Sequence, residues 1–169
     1  MSDAYDFPVD RTAILAFAGA LGETNGIYYD ERYAAGTALG GVIAPPTFAT
    51  ASNLWNPSYY LRGVRRIPEP SSASDSQAPE VAAADAASLR TLGRWLHAEM
   101  RDDYHQPIRP GMRLRVTTRP GKSWEKTGRR GGRLRFEETI IEYRDERNEP
   151  VVTACSVSVF TSRSVESGP

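Results

Sequence analysis

The stretch Gly22-Glu23-Thr24-Asn25-Gly26-Ile27-Tyr28-Tyr29-Asp30 carries more information than any other part of this chain of 169 residues. A second segment, Gly41-Val-Ile-Ala-Pro-Pro-Thr-Phe48, follows it closely. Two interpretations stay open for Asn25 and Asp30, because such side chains either cap a turn and the next helix or belong to a polar site. An aromatic side chain such as Tyr28 is more typical of a core or an interface than of catalysis.

Around this stretch the first third of the chain predicts helices. The first helix follows Asp10, a plausible N-cap, and ends at Gly22, with apolar residues on one side at helical spacing. A short second helix is predicted at Glu31–Ala35. The paired prolines before position 47 favour an extended entry, and Thr47–Leu54 then predicts an apolar helix that ends at Asn56-Pro57.

Residues 67–93 differ in composition from the rest. The segment Ile67–Pro79 is rich in proline, serine and alanine and cannot bury enough apolar surface to offset the entropy of ordering it. We predict a mobile insertion here, with a short helix at Glu80–Leu89. A plain surface loop is the first interpretation, and a lid over a substrate channel is the second.

The second half of the chain predicts strands. Apolar and polar residues alternate as half-buried antiparallel strands require, for example from Leu134 to Phe136 and from Val157 to Val159. A helical first part followed by a run of strands indicates the α+β class. The predicted segments are Trp95–His105, Met112–Arg119, a basic glycine-rich hairpin at Lys122–Gly132, Leu134–Tyr143 and Val151–Phe160.

Charge and cysteine content exclude several classes of protein. The 21 basic residues balance the 21 acidic ones, so no overall field favours nucleic acid or an acidic membrane. Cys155 is the only cysteine, which fits a reducing compartment. We see no signal peptide and no membrane-spanning run, and expect a cytoplasmic protein. His97 and His105 are too isolated to indicate a metal site, so neither a metal nor a cofactor is expected.

The opening stretch resembles the motif of the MaoC-like dehydratases, the superfamily that includes (R)-specific enoyl-CoA hydratases. That motif reads roughly Gly-Asp-x-Asn-Pro-x-His-x-Asp, and here Glu23, Gly26 and Tyr28 stand at its Asp, Pro and His. The segments Leu96–Glu99 and Tyr104–Gly111 resemble the N-terminal-type, or fatty-acid-synthase-type, dehydratase domain. The resemblance implies a hot-dog fold, in which an antiparallel sheet wraps around a central helix. It also implies one domain over residues 1–169 that carries the insertion at about 67–93.

The same resemblance implies a weakened active site. In the family the Asp and His hold and activate a water, and a glycine N–H at the start of the central helix binds the enolate oxygen. Glu23 displaces the carboxylate by one methylene, and Tyr28 offers a phenol whose pKa of about 10 makes it a poor base. Pro46 aligns with the glycine and has no N–H to donate, which leaves the N–H of Thr47 as a substitute donor.

Three functions follow from the resemblance. The first is the substrate-binding, catalytically impaired subunit of a heteromeric enoyl-thioester hydratase or 3-hydroxyacyl dehydratase, whose MaoC-type partner carries the intact Asp and His. The second is a self-associating enoyl-CoA hydratase that uses Glu23 with His97 or His105. The third is a non-enzymatic module that binds an acyl-CoA or acyl-carrier-protein thioester. The candidate substrate-binding residues are Asn25, Pro46, Thr47, His97, Arg129 and Arg130; a solvated turn is the more typical setting for the last two.

Overall fold

The computed structural model describes residues 4–57, 59, 95–128 and 132–161. The predicted insertion at 67–93 and the pair Arg129 and Arg130 therefore lie outside the described residues. The extent of the domain stays a prediction. The strands are β1 (Tyr5–Pro8), β2 (Trp95–Tyr104), β3 (Arg113–Gly128), β4 (Gly132–Arg144) and β5 (Pro150–Thr161); the helices are α1 (Arg11–Ala20), α2 (Glu31–Ala35) and two 3-10 helices, Gly26–Tyr28 and Phe48–Trp55.

The described strands form one antiparallel sheet in the order β1-β3-β4-β5-β2. Strand β3 alternates exposed arginines with the buried Leu114 and Val116, as expected for a strand with one face on a core. It runs further than predicted, because the segment interpreted as a hairpin from Lys122 belongs to β3 up to Gly128. A shift in register between Pro120 and Ser123 interrupts its pairing with β4 without ending the strand.

Strand β1 is absent from the sequence prediction. It has only four residues, and Asp6 and Pro8 lie within it. Its pairing with β3, Phe7 opposite Leu114, depends on a contact between residues far apart in the chain. A segment this short gives no periodic signal of its own, so only the tertiary pairing identifies it.

The predicted helices of the first third are confirmed. The Asp10 carboxylate accepts hydrogen bonds from the backbone N–H groups of Thr12 and Ala13 at the start of α1, and α2 has the predicted bounds. The predicted central helix is present one residue later, as a 3-10 helix over Phe48–Trp55. None of the helices in the described part of the chain is long and apolar enough to cross a membrane.

The sheet and the central helix share one core. The ring of Phe48 packs 5.6 Å from that of Phe7 and edge-on to that of Phe17. The fully buried Ser52 joins the helix to the sheet, because its hydroxyl lies 3.1 Å from the hydroxyls of both Tyr5 and Tyr143. A sheet packed around a central helix confirms the α+β hot-dog prediction.

Candidate active site

Hydrogen bonds to backbone groups fix the loop that carries Glu23 and Asn25. The N–H of Glu23 bonds to the carbonyl of Ala18, and the hydroxyl of Tyr29 donates to the carbonyl of Glu23 at 2.6 Å. The side chain of Asn25 accepts the N–H of Ile27 at 3.0 Å and caps the short 3-10 helix. The loop therefore uses Asn25 as a structural cap, and a role in substrate binding stays a prediction.

Tyr28, at the position of the family histidine, is a buried phenol. Only 9% of the residue is exposed. Burial raises the pKa of this phenol, and the charge of the nearby Glu23 carboxylate raises it further. Both effects disfavour the phenolate, so near neutral pH Tyr28 supplies even less of the basic form than an exposed tyrosine.

A cavity of about 360 Å³ brings the two motif segments together. Its wall includes Tyr28 from the first segment and Pro46 from the second, together with Leu39, Ile43 and other apolar residues. Tyr104, the last residue of β2, completes the wall beside the two motif positions. The lining is mainly apolar, with two phenols and the polar side chains of His105 and Gln106, as suits a site that binds an acyl chain with a polar group.

The backbone N–H of Thr47, predicted as a substitute oxyanion donor, already has a hydrogen-bond acceptor. The N–H of Thr47 donates to the hydroxyl oxygen of Tyr104 at 3.0 Å. Thr47 has a φ of 73°, a left-handed conformation that is unusual for a residue with a branched side chain. Pro46 has no N–H, so neither residue at the start of the central helix offers an uncommitted backbone donor in this conformation.

Tyr104 and Asp102 are polar residues of the site region that sequence reasoning did not assign. Tyr104 belongs to the segment Tyr104–Gly111, whose resemblance to the family was the only sequence signal for this residue. Tyr104 is 42% exposed, and burial of the rest of its side chain raises the pKa of the phenol; the Thr47 N–H lowers this pKa and the charge of Asp102 raises it. Asp102 lies two residues earlier on the same face of β2. Its Oδ1 atom is buried without a hydrogen-bond partner among the described residues, and burial followed by the charge of Asp103 raises its pKa.

The two histidines lie apart from each other. His105 lines the cavity, and its Nε2 is 2.9 Å from the hydroxyl of Thr153 on β5. His97 is exposed, pairs with Ser158 near the opposite end of β2 and does not line this cavity. Among the residues that the structure describes, no three histidine, cysteine or acidic side chains are grouped to hold a metal ion.

Comparison with known proteins identifies the family. The family described as "FAS1-like, dehydratase domain region" matches residues 1–154. The chain belongs to this family. Its membership, with the fold shared by solved MaoC-like dehydratases and (R)-hydratases, confirms the resemblance to the hot-dog dehydratases. It supports a hydratase or dehydratase role for the chain.

Individual relatives are distant. A UPF0336 protein of Streptomyces avermitilis is 28% identical over 167 residues, covering 99% of this chain and 91% of that protein. A chain of the ChsH1–ChsH2 complex of Mycobacterium tuberculosis has a TM-score of 0.63 and 17% identity, covering 100% of this chain and 86% of that one. A chain of the C-terminally truncated HadBC (3R-hydroxyacyl-ACP dehydratase) complex of the same organism has a TM-score of 0.62 and 17% identity, covering 94% and 95%. Both structural neighbours are complexes of two named subunits.

Proposed function

We propose that this chain is the substrate-binding, catalytically impaired subunit of an (R)-specific enoyl-thioester hydratase or 3-hydroxyacyl dehydratase. Its partner is a second MaoC-type hot-dog chain with the intact Asp and His. The acyl thioester, carried by CoA or by an acyl carrier protein, lies between the two subunits. The partner performs the proton transfers and this chain contributes part of the wall that holds the acyl group.

The start of the central helix is the observation that carries the proposal. Hydration of an enoyl thioester requires a donor at the enolate oxygen, and removal of one such donor lowers turnover about 10²–10³-fold. Pro46 has no N–H, and the N–H of Thr47 is bonded to Tyr104. General acid–base help is worth typically ~10²–10⁴ in rate, and the residue at the base position is the buried, protonated phenol of Tyr28.

The sheet offers a place for the partner. Strand β2 is an edge strand of ten residues in the described sheet, so one side of its backbone has no neighbouring strand there. An edge of this length invites pairing with another chain unless something covers it. Both structural neighbours named above are two-subunit complexes of the same fold, which supports a hot-dog partner at such an edge.

The alternative is a self-sufficient homodimer that uses Glu23. One observation favours it: the Glu23 carboxylate is close enough to Tyr28 to raise the pKa of the phenol. A carboxylate beside a protonated phenol is a possible base and acid pair. The non-enzymatic acyl-thioester-binding module shares every binding feature of the first proposal and differs only in lacking turnover in any complex.

The test is hydration of a medium-chain trans-2-enoyl-CoA, measured as loss of the conjugated enoyl absorbance. Assay this full-length chain alone and after co-expression with a MaoC-type partner that retains Asp and His. We expect the chain alone to be at least about 100-fold slower than the complex, in line with the missing donor. The Glu23→Gln variant should leave the activity of the complex unchanged, as should the exposed control Glu146→Gln.

Two outcomes would redirect the assignment. Robust turnover by the chain alone that is lost in Glu23→Gln but not in Glu146→Gln would contradict the impaired-subunit proposal and establish the homodimer. Acyl-CoA binding with no turnover in the complex would favour the non-enzymatic module.

A further inference from the structure

The Tyr104 hydroxyl has a donor capacity that the fold does not use. Its oxygen accepts the N–H of Thr47 at 3.0 Å, and a phenol then still has its own O–H to donate. Asp102, on the same face of β2, acts on this phenol through its charge, and its Oδ1 has no hydrogen-bond partner among the described residues. The ring of Tyr104 lines the same cavity as Tyr28 and Pro46.

We propose that the Tyr104 hydroxyl is the group that donates a hydrogen bond to the thioester carbonyl of the bound acyl group. This inference rests on the proposed function, because it assumes that the cavity takes an acyl thioester. Tyr104 thus replaces the backbone N–H that Pro46 lacks. The Thr47 N–H holds the phenol oxygen in place and polarises its O–H.

This arrangement places the thioester carbonyl further from the Thr47 N–H than a direct hydrogen bond would. A carbonyl bound directly to the Thr47 N–H would lie about 3 Å from that nitrogen. When the phenol is interposed, two consecutive hydrogen bonds separate the two atoms, and the bond angle at the phenol oxygen sets their distance at about 5 Å. A displacement of this size is enough to remove the substrate from attack geometry at Glu23 and Tyr28. Tyr104 therefore suits binding and opposes turnover by this chain.

The protonation state of Tyr104 supports a donor role. Burial and the charge of Asp102 both raise the pKa of the phenol, and the hydrogen bond from Thr47 only partly offsets them. The hydroxyl thus keeps its proton near neutral pH. A negative charge on Asp102 also disfavours the development of an enolate nearby, while a neutral thioester carbonyl carries no such penalty.

The experiment compares two ligands that differ only at the carbonyl. Octanoyl-CoA and its S-octyl-CoA thioether analogue are titrated by calorimetry into the full-length wild type, Tyr104→Phe and the control Tyr33→Phe. Tyr33 is exposed and lies outside the cavity wall, so its variant removes a phenol hydroxyl at an unrelated place.

We expect Tyr104→Phe to weaken octanoyl-CoA binding about 2- to 10-fold, the range for one neutral hydrogen bond, and to leave the thioether unchanged. The infrared band of a ¹³C-labelled thioester carbonyl should shift down on binding to wild type and Tyr33→Phe but not to Tyr104→Phe. Unchanged octanoyl-CoA binding, or equal weakening of both ligands, would overturn the assignment while the proposed function stands. Failure of the wild type to bind either ligand would overturn both.

Discussion

Replacing Ser52 with alanine should break the polar connection between the central helix and the sheet. The hydroxyl of Tyr143 donates to the carbonyl of Ala49 at 3.0 Å, so its only proton is used. Ser52 must then donate to the oxygen of Tyr143, and Tyr5 must donate to Ser52, each over 3.1 Å. The result is a directed chain of three hydrogen bonds inside the core.

The expected loss of stability follows from the hydrogen bonds that each side chain keeps in the variant. In Ser52→Ala the hydroxyl of Tyr143 still donates to Ala49, so it loses only an incoming bond. Tyr5 is 7% exposed, and its hydroxyl loses its acceptor altogether. A buried donor left without a partner costs about 1–3 kcal/mol, and this sets the expected drop in the free energy of unfolding. Tyr5→Phe should cost less, about 0.5–1.5 kcal/mol, because Ser52 still donates to Tyr143.

Urea denaturation at neutral pH measures these differences as shifts in midpoint at constant slope. In the double variant Tyr5→Phe/Ser52→Ala no donor is orphaned, so its loss should fall short of the sum of the single losses by about 1 kcal/mol. Ser123→Ala, an exposed serine on β3, is the matched control and should change stability by less than about 0.5 kcal/mol. A loss in Ser52→Ala no larger than that of the control, with additive singles, would refute the reasoning.

Three smaller predictions follow from other polar groups. Burial raises the pKa of the Asp102 carboxyl above its ordinary 3.8. The protonated carboxyl therefore contributes its full stability to the fold below pH 3.8, and this contribution is lost as the pH rises through the raised pKa. Asp102→Asn should therefore gain stability relative to wild type on going from pH 3 towards neutral. Glu23→Gln should lower the pKa of Tyr28 but leave it above that of a free tyrosine, since burial is the larger cause; ¹³C NMR of labelled tyrosine reports it. Asp10→Ala removes the cap of α1 and should cost about 1 kcal/mol in urea denaturation.

Each of these has a contrary result. A difference between Asp102→Asn and wild type that does not change with pH would mean that the carboxyl is as well solvated in the folded chain as in the unfolded one. An unshifted Tyr28 titration in Glu23→Gln would place the Glu23 charge out of reach of the phenol. An Asp10→Ala variant as stable as wild type would show that water caps the helix equally well.

Local signals predicted most of the elements. The N-caps of α1 and α2 depend on side chains adjacent to the helix in sequence, so Asp10 and the bounds Glu31–Ala35 could be predicted from the sequence. Strand β1 could not, because four residues acquire their structure from pairing with β3. The continuation of β3 past Pro120 was missed for a related reason: Pro120 and Gly121 are typical of a turn, and the long pairing with β4 overrides that preference.

The residues of the candidate site likewise include some that the sequence could predict and some that it could not. Glu23, Tyr28 and Pro46 were predicted from two short segments; the cavity has Tyr28 and Pro46 in its wall, whereas Glu23 does not line it. The bond between Thr47 and Tyr104 joins residues 57 positions apart and depends on where the end of β2 meets the central helix. No pattern within either segment contains that information. His97 lies on β2 beside Ser158 rather than at the cavity, and its role in substrate binding stays a prediction.

Under the proposed function, the altered motif positions affect turnover more than they affect substrate binding. Under the proposed function, Pro46 and Tyr28 lack an N–H donor and a base whose interactions would matter mainly in the transition state, where charge develops and protons move. A neutral phenol donor such as Tyr104 would bind the carbonyl of substrate and of product about equally, which is uniform binding and gives affinity without rate. An apolar cavity with such a donor would hold an acyl thioester while an intact hot-dog partner performs the chemistry. Under the proposed function, affinity for acyl-CoA should therefore survive substitution of Glu23 and should fall on substitution of Tyr104.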